Sequence, residues 1–362
     1  MSKIISIGTE LPKYRHEQEH ILTFMQQFYA LDDVEKRKLR FLYRQSGIDH
    51  RYSCVGDYCR PMNEWKFYPQ SENIEPFPSL EQRMEWYQKH APPLSVGAIR
   101  KCLDHRFPEK EITHLITVSC TGMSAPGLDL QLMELLDLSR NIFRTSVNFM
   151  GCYAAIHALK MADSFCKSAP NAKVLIVCTE LCTLHLQKEN TMDNLASGLL
   201  FSDGSAAALV VGDDHPAKGL TLKSFYSEVV PKGKKDMAWE LSSTGFQMTL
   251  SGYIPDLIGE DIEALVERAV QEQGMKREDI NKWCVHPGGK KILEAIEKSL
   301  SVSKQDLSHS YRVLRDYGNM SSATILFVLR DLYHQIQNEE GRNIFAMAFG
   351  PGLTLETFIA ET

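Results

Sequence analysis

Long apolar runs are missing from this chain. No stretch reaches the length of about 18–20 apolar residues that a membrane-spanning helix needs. The N-terminus has too short an apolar run for a signal peptide, and residues 3–8 are instead predicted to form a first strand. We therefore expect a cytoplasmic protein without a membrane span.

A surplus of positive charge is also absent. Lys and Arg number 40 against 46 Asp and Glu, which gives a formal net charge of -6. General binding to nucleic acid or to an anionic membrane surface depends on such a surplus. Neither kind of partner is expected.

Paired cysteines are missing as well. The nine cysteines are an odd number, and none of them forms a Cys-x-x-Cys pair. Cys54 and Cys59, like Cys178 and Cys182, lie close in sequence, but neither pair has a second pair or a His cluster at zinc-site spacing. The pattern is typical of a reducing compartment and predicts neither a disulfide framework nor a metal site.

What the chain does have is an ordinary globular composition and enough length for two units. Its 362 residues are 43% hydrophobic and 24% charged, which suffices for a large core. Strand-like apolar segments alternate with helical patterns such as Leu80–Leu103 and Pro255–Gln273, which is typical of an α/β fold. No low-complexity linker interrupts them, so we predict two tightly packed halves, 1–213 and 214–362.

One stretch has the pattern of a strand, a tight turn and a helix. The apolar run Thr145–Met150 leads into Gly151 and Cys152, and a helical pattern follows. A cysteine at a helix N-terminus faces unpaired N–H groups and the positive end of the helix dipole, and its pKa is typically lowered to about 3.5–7.5. For a lone cysteine, a buried residue that acts as a small hydrophobe is the alternative.

A second stretch repeats this pattern in the other half. Gly318-Asn319 precedes small residues and a helix, as Gly151-Cys152 does. Small residues at both helix starts would let the two backbones approach closely. The repeat suggests a duplicated α/β unit whose central helices pack together and bring Cys152 close to Asn319.

A histidine stands at a third element end. His286 closes a strand-like segment, and Pro287 is predicted to take the first position of the next helix. A lone His is more often structural, and an Asn after Gly is more often a turn residue. Three such residues at element ends, where α/β folds carry their sites, favour a joint Cys-His-Asn site.

Around these residues the sequence resembles the type III polyketide synthases, the chalcone and stilbene synthase-like enzymes of the thiolase fold. The matching segments run in order from about residue 112 to the C-terminus: Cys120-Thr121 to Pro126-Gly127, Gly151-Cys152-Tyr153-Ala154, Phe201-Ser202-Asp203-Gly204, Trp283 to Gly289, Tyr317 to Ala323, and Phe349 to Thr354. The resemblance implies an α/β thiolase fold with duplicated halves in an αβαβα layering, and an acyltransferase that forms a homodimer. It also implies acyl-CoA and malonyl-CoA as substrates, with no metal or redox cofactor.

The resemblance assigns roles to three catalytic residues. Cys152, as a thiolate kept ionised by His286, would attack an acyl-CoA and hold the acyl group. His286 and Asn319 would donate hydrogen bonds to the thioester oxygen of malonyl-CoA and stabilise the enolate left by loss of CO2. Repeated condensation and then cyclisation would give a pyrone or a resorcinol or phenol. Phe201 matches a gate residue, and Gly350-Pro351-Gly352 matches the loop at which the product cyclises.

The cavity positions depart from those of plant enzymes. A gap-free count from Gly245 puts Met248 where plant members have a second gate Phe, and Trp239 where chalcone synthases have Gly. Other cavity positions fall on Cys120, Thr121, Cys182, His185 and Ser321. These departures argue against a flavonoid product and favour a bacterial member with fatty acyl, small acyl or malonyl starters.

Two segments before residue 80 have less specific patterns. The basic run from Lys36 to Arg44 is either a solvated helix face or a patch for CoA phosphates, formed by Lys38, Arg40 and Arg44. Gln45 replaces one Lys expected there. Residues 53–80, rich in Pro, Asn, Ser and aromatics, are predicted to form an irregular surface loop.

Three other functions stay open at this point. A β-ketoacyl-carrier-protein synthase III shares the Cys-His-Asn set, but its His precedes a Gln-Ala-Asn type segment rather than the Pro-Gly-Gly that follows His286. A hydroxymethylglutaryl-CoA synthase needs an acidic residue near its cysteine, and none is evident near Cys152 in the sequence. A non-catalytic acyl-CoA-binding protein on the same scaffold would have no need of the three residues together.

Overall fold

A nine-stranded mixed sheet runs through the chain, and the computed structural model describes all residues, 1–362. The chain has thirteen strands, of which nine form this sheet. They are β1 (Ser2–Glu10), β2 (Tyr14–Glu17), β3 (His50–Ser53), β4 (His114–Ser119), β5 (Phe143–Asn148), β6 (Lys173–Leu181), β7 (Asp203–Gly212), β8 (Leu220–Val229), β9 (Met237–Ser242), β10 (Gly245–Leu250), β11 (Lys282–Val285), β12 (Asn343–Gly350) and β13 (Thr354–Glu361). The order in the large sheet is β11-β12-β13-β8-β1-β7-β6-β4-β5, while β2 pairs with β3 and β9 with β10.

Ten helices cover this sheet. They are α1 (Gln18–Phe28), α2 (Asp33–Gln45), α3 (Leu80–Leu103), α4 (Leu128–Leu135), α5 (Ala154–Ser168), α6 (Met192–Leu200), α7 (Ile254–Gln271), α8 (Lys290–Leu300), α9 (Ser308–Tyr317) and α10 (Thr324–Ile336). None of them is both long and apolar enough to cross a membrane.

The two halves of the sheet repeat one pattern. In the first half, β1, β7 and β6 pair antiparallel, and β4 then pairs parallel with β6 and β5. In the second half, β8, β13 and β12 pair antiparallel, and β11 is parallel to β12. A short antiparallel pairing of residues 2–4 with residues 220–222 joins the halves.

Helices α5 and α10 form the central layer between the two halves of the sheet. Both are buried among strands of the two halves in one shared core. The Ala residues of α5, at positions 154, 155, 158 and 162, are fully buried, and their small side chains let the flanking strands lie close. Outside the sheet, α1 to α4 pack in a core with the first half and α7 and α8 in a core with the second, which gives an αβαβα layering.

The starts of α5 and α10 meet through two 3₁₀ turns. Gly151–Tyr153 precedes α5, Ser321–Ala323 precedes α10, and the two turns pack on each other. Gly151 and Ser321 have positive φ angles of 79° and 48°, a left-handed conformation that an L side chain such as that of Ser321 adopts at a cost. Of the polar residues predicted at the helix starts, Cys152 therefore lies in the first turn and Asn319 lies just before the second.

Two predictions of local structure are wrong. Pro287 does not begin a helix, because Gly289 is still extended, with a φ of 167°, and α8 starts at Lys290. The segment 53–80 is irregular, but it is not a surface loop, because Trp65, Phe67 and Tyr68 are buried in the core.

Candidate active site

A cavity of about 1030 Å³, counted with its open mouth, lies where the two halves meet. Its walls carry Cys152 from the first half and His286 and Asn319 from the second. Every predicted gate and cavity residue also lines it: Phe201, Met248, Trp239, Cys120, Thr121, Cys182, His185 and Ser321.

Cys152 lies in the turn before α5, deep in the chain but reachable from the cavity. Its Sγ is 3.7 Å from the hydroxyl of Ser321, on the turn before α10. One residue earlier, the N–H of Gly151 donates to the Sγ of Cys120 at 3.0 Å. The packing of the two turns thus sets the position of the thiol.

His286 follows the last residue of β11. Its N–H donates to the carbonyl of Met347 at 2.9 Å, which extends the pairing with β12. The side chain is 1% exposed, yet neither ring nitrogen has a hydrogen-bond partner in the chain. Because buried polar atoms are nearly always paired, an unpaired imidazole in a cavity wall is available to a substrate.

The backbone of Asn319 is hydrogen-bonded to the residues on either side of Phe201, the predicted gate. Its N–H donates to Leu200 at 3.0 Å and its carbonyl accepts from Ser202 at 2.9 Å, so its backbone brackets Phe201. The side-chain oxygen accepts the N–H of Ser321 at 2.8 Å. That bond identifies the other end of the amide as the NH2 group, whose one partner in the chain is the carbonyl of Gly288 at 3.4 Å. The amide therefore has a donor to spare.

Burial controls the charge of the thiol and of the imidazole. It raises the pKa of Cys152 to about 12 and lowers the pKa of His286 to about 3, so each group by itself is neutral at neutral pH. The prediction that a helix terminus lowers the pKa of Cys152 is therefore wrong. The imidazole of His286 lines the same cavity as the thiol, and transfer of the thiol proton to it is a route to a thiolate that leaves the net charge of the buried site unchanged.

An aromatic wall closes one side of the cavity. The indole N–H of Trp239 donates to the carbonyl of Cys120 at 2.7 Å. The ring of His185 stacks on Phe246, with centroids 4.3 Å apart, and its Nδ1 accepts the N–H of Phe246 at 3.3 Å. Its Nε2 must then carry the proton that is donated to Thr121 at 2.7 Å. Burial lowers the pKa of His185 to about 3, so this residue is a neutral part of the wall.

The hairpin of β9 and β10 carries two of the cavity residues. Trp239 and Met248 are cross-strand partners, and both line the cavity. Directly opposed residues of an antiparallel pair point to the same face, so the two side chains enter the cavity together. The gap-free count from Gly245 thus places both residues correctly at the cavity.

The loop at 350–352 packs on the turn of Cys152, but of the three residues only Pro351 lines the cavity. A Cβ at Gly151 would lie 2.1 Å from the Cδ of Pro351, and a Cβ at Gly350 would lie 2.5 Å from the ring of Tyr153. Glycine is therefore required at 151 and 350 for the two segments to touch. Gly350 and Gly352 support the cavity wall rather than form it.

The predicted cations of α2 lie outside the cavity. Lys38, Arg40 and Arg44 are exposed. The end of this helix nevertheless lies beside the cavity, because a Cβ at Gly47 would lie 3.2 Å from the side chain of Lys290, at the start of α8. Ile292, in the same first turn of α8, lines the cavity.

Sequence reasoning missed part of the cavity wall. Further lining residues come from α1, β3, the 3₁₀ turn Asp57–Cys59 and α6: Met25, Arg51, Tyr58, Asn194 and Gly198. The one signal for them was the pair Ser197-Gly198 inside a helical pattern. A small residue there leaves the space that Met25 and Leu186 now border.

A buried acid was also missed. Glu180, next to the last residue of β6, is fully buried, and its charge raises the pKa of Cys152 further, beyond the effect of burial. No acidic residue near Cys152 is evident in the sequence, and it is the fold that brings the charge of Glu180 to bear on the thiol. A glutamate inside the apolar segment Lys173–Leu181 was the available signal. Glu180 does not line the cavity, so it is not placed to exchange protons with a substrate there.

Comparisons with known proteins match the whole chain. Residues 1–215 match the N-terminal domain, and residues 221–362 the C-terminal domain, of the chalcone and stilbene synthases. A Bacillus subtilis protein described as a putative chalcone synthase is 30% identical, over 99% of this chain and 98% of its own. A Mycobacterium tuberculosis protein described as an alpha-pyrone synthesis polyketide synthase-like protein is 30% identical, over 91% of this chain and 84% of its own.

A longer relative and a solved structure extend the comparison. The chain spans only 11% of a Dictyostelium discoideum protein described as probable polyketide synthase 1, to which it is 29% identical. The crystal structure of PKS-I from the brown alga Ectocarpus siliculosus superposes on this chain with a TM-score of 0.93 at 27% sequence identity. The match covers all of this chain and 98% of the algal chain.

The fold is therefore the thiolase fold, and the chain is an enzyme of the acyltransferase type. Within that class it belongs to the chalcone and stilbene synthase family, the type III polyketide synthases. The fold class and the family predicted from the sequence are both confirmed.

Proposed function

We propose that this enzyme condenses malonyl-CoA repeatedly, with loss of CO2, onto an acyl starter held on Cys152, and then cyclises the chain. One observation carries the proposal most: a thiol, an unpaired buried imidazole and an amide with a spare donor line one cavity between the two halves. Acyl-CoA and malonyl-CoA are the proposed substrates, and the chemistry requires no metal or redox cofactor.

The first step is transfer of the starter to Cys152. The imidazole of His286 takes the thiol proton, and the thiolate attacks the thioester carbon of the acyl-CoA. CoA leaves as a thiolate and takes the proton back from the imidazolium. The spare donor of Asn319 stabilises the oxyanion of the tetrahedral intermediate.

The second step is condensation with malonyl-CoA. Loss of CO2 leaves an enolate whose oxygen would be held by the N–H of His286 and the NH2 of Asn319. The enolate carbon attacks the acyl carbonyl, a C–C bond forms, and the Cys152 thiolate leaves. The new chain, two carbons longer, is a CoA thioester that can return to Cys152 for another cycle.

The shape of the cavity bears on the starter and the product. The cavity is lined by residues of both halves, and an acyl chain held on Cys152 would extend along this wall. The indole of Trp239 occupies space near Cys120, which disfavours a plant-type flavonoid. Fatty acyl, small acyl or malonyl starters with pyrone, resorcinol or phenol products fit this cavity, in which Phe201 and Met248 would form the gate.

Replacing Trp239 by alanine is expected to shift product formation toward longer starters. The variant removes the indole that closes one side of the cavity, so the ratio of kcat/KM for a long over a short acyl-CoA should rise about tenfold, which corresponds to about 1.4 kcal/mol. Leu241→Ala, in the exposed part of the same strand, is the matched control. An unchanged starter preference in Trp239→Ala would show that the indole does not limit the cavity.

Charge reversal on α2 is expected to weaken CoA binding. Lys38→Glu combined with Arg44→Glu should raise KM for acyl-CoA about tenfold, because phosphates would lose two positive partners. The same variant should keep the parent's KM for an N-acetylcysteamine thioester, which has no phosphate. Equal effects on both substrates would contradict a phosphate patch that contains Lys38, Arg40 and Arg44 and leave the solvated helix face as the better interpretation.

We also propose that the chain forms a homodimer and works in the cytoplasm. Strand β5 lies at a free edge of the sheet. Phe143, on this strand, and Met123, in the loop after β4, have exposed side chains. An unpaired edge of this kind is suited to pairing with a second copy. Light scattering should then give twice the chain mass of 41.1 kDa.

Product analysis tests the proposal against its alternatives. The purified enzyme would be incubated with malonyl-CoA and a panel of acyl-CoA starters, and products identified by mass. Chains extended two or more times and then cyclised support the proposal. Products extended once, on a carrier protein, would instead indicate a β-ketoacyl synthase III-like activity. Acyl-CoA binding without any product would indicate a non-catalytic protein.

A further inference from the structure

Glu180 is a carboxyl group without a cation partner in the middle of the molecule. It is fully buried near the end of β6, and no salt bridge compensates its charge. A buried carboxylate is costly unless hydrogen bonds compensate it, so its neighbours show what keeps it there. Burial raises the pKa of Glu180 to about 7, which reflects that cost.

Three hydrogen bonds hold the carboxyl group. One oxygen accepts the N–H of Cys120 at 2.9 Å and the hydroxyl of Thr121 at 2.8 Å. The hydroxyl of Thr121 itself accepts the N–H of Leu181 at 2.9 Å, so its proton must be directed at Glu180. The other oxygen accepts the hydroxyl of Ser322 at 2.5 Å.

These bonds connect opposite walls of the cavity. Cys120 and Thr121 belong to the first half, and they also hold Trp239, His185 and Gly151 through the hydrogen bonds described above. Ser322 belongs to the second half and lies next to Ser321 in the turn that follows Asn319. One carboxyl group therefore spans the two halves directly behind Cys152.

The turn that contains Ser321 and Ser322 needs the support of the hydrogen bond to Glu180. Ser321 has a positive φ of 48°, a conformation that a serine keeps only when its surroundings fix it. Its N–H also holds the amide oxygen of Asn319. Displacement of this turn would turn the spare donor of Asn319 away from the cavity.

We propose that Glu180 is a positioning residue for condensation: it ties the Cys120–Thr121 wall to the Ser321–Ser322 turn and so holds Asn319 in register with Cys152. The inference rests on the proposed function, because it takes Asn319 as a donor to the enolate. Glu180 itself is behind the wall and touches neither substrate nor thiol.

The charge of Glu180 has a second effect that separates this role from simple stabilisation. A negative charge behind the cavity opposes ionisation of the thiol, and it contributes, after burial, to the raised pKa of Cys152. Removal of the charge should therefore ease thiolate formation while the loss of positioning slows condensation. General damage to the fold would not move the two rates in opposite directions.

Glu180→Gln is the decisive variant. It should lower kcat for product formation about tenfold or more, with KM for acyl-CoA within about twofold of the parent, since Glu180 contacts no substrate. Alkylation of Cys152 by iodoacetamide at pH 8, where the carboxyl group of Glu180 is mostly ionised in the parent, should become faster, about threefold or more. Glu189→Gln, an exposed change on the following loop, is the matched control and should alter neither rate.

Ser322→Ala tests the bridge on its own. It removes one hydrogen bond and leaves the charge, so kcat should fall less than in Glu180→Gln while alkylation keeps the parent's rate. It also carries the test if Glu180→Gln does not fold. An unchanged kcat in both variants, or in Ser322→Ala alone when Glu180→Gln fails to fold, would overturn the proposal. Alkylation needs no polyketide chemistry. If alkylation were faster in Glu180→Gln while the parent carried out no condensation, the result would refute the proposed function instead.

Discussion

Replacement of Cys152 by alanine is expected to abolish product formation from every acyl-CoA starter. The variant has no nucleophile to hold the starter, and removal of such a group typically costs on the order of 10³-fold or more. Intact-protein mass spectrometry checks the step directly. The parent should gain the mass of one acyl group after incubation with an acyl-CoA, and Cys152→Ala should gain none.

A residual reaction separates this loss from unfolding. His286 and Asn319 are unchanged in Cys152→Ala, so the variant should still release CO2 from malonyl-CoA. Cys59→Ala, which removes an exposed cysteine, is the control and should keep both activities. Acylation or condensation that persists in Cys152→Ala would disprove the assignment of the nucleophile.

Replacement of Asn319 by alanine is expected to slow condensation about 10²–10³-fold, which is typical for the loss of one oxyanion donor. The NH2 group of Asn319 is the donor with capacity to spare, and alanine provides none. The defect should appear chiefly in release of CO2 from malonyl-CoA, measured with labelled substrate. Transfer of the starter to Cys152 should continue at a lower rate, because the nucleophile and its base are still present.

Two comparisons control the Asn319 experiment. Asn338→Ala, at an exposed position after α10, removes an amide far from the cavity and should behave as the parent does. His286→Ala should lose both steps, because the thiolate depends on the imidazole as its base. If Asn319→Ala and the parent released CO2 equally fast, the enolate would have to be stabilised by other groups.

The parts of the fold that were predictable from sequence are those with regular apolar patterns. The bounds of α3 were predicted at the residues observed, Leu80 and Leu103, and those of α7 within two residues. Because both helices bury one face against a core, apolar residues recur along these segments with the helical period. The repeat of the two halves predicted that Cys152 and Asn319 lie close together, and His286 was joined to them because it also stands at an element end.

The parts that were missed depend on contacts distant in sequence. In the hairpin of β9 and β10 each strand pairs only with the other, so no continuous apolar pattern marks it. In the segment 53–80, the buried carboxylate of Asp57 accepts the N–H groups of Phe67 and Tyr68 and turns the aromatics inward. The pKa of Cys152 was predicted from its place in the chain, but desolvation by the surrounding protein outweighs the local helix.

The location of the cavity between the halves has a consequence for folding. The thiol comes from the first half and the imidazole and amide from the second, so neither half contains a site of its own. Activity is thus a property of the docked pair, and a chain with one native half and one misfolded half has none. For the same reason, partial denaturation that separates the halves would extinguish catalysis while most of the secondary structure persists. Enzymatic activity is then a more sensitive gauge of correct assembly than a spectroscopic measure of helix content.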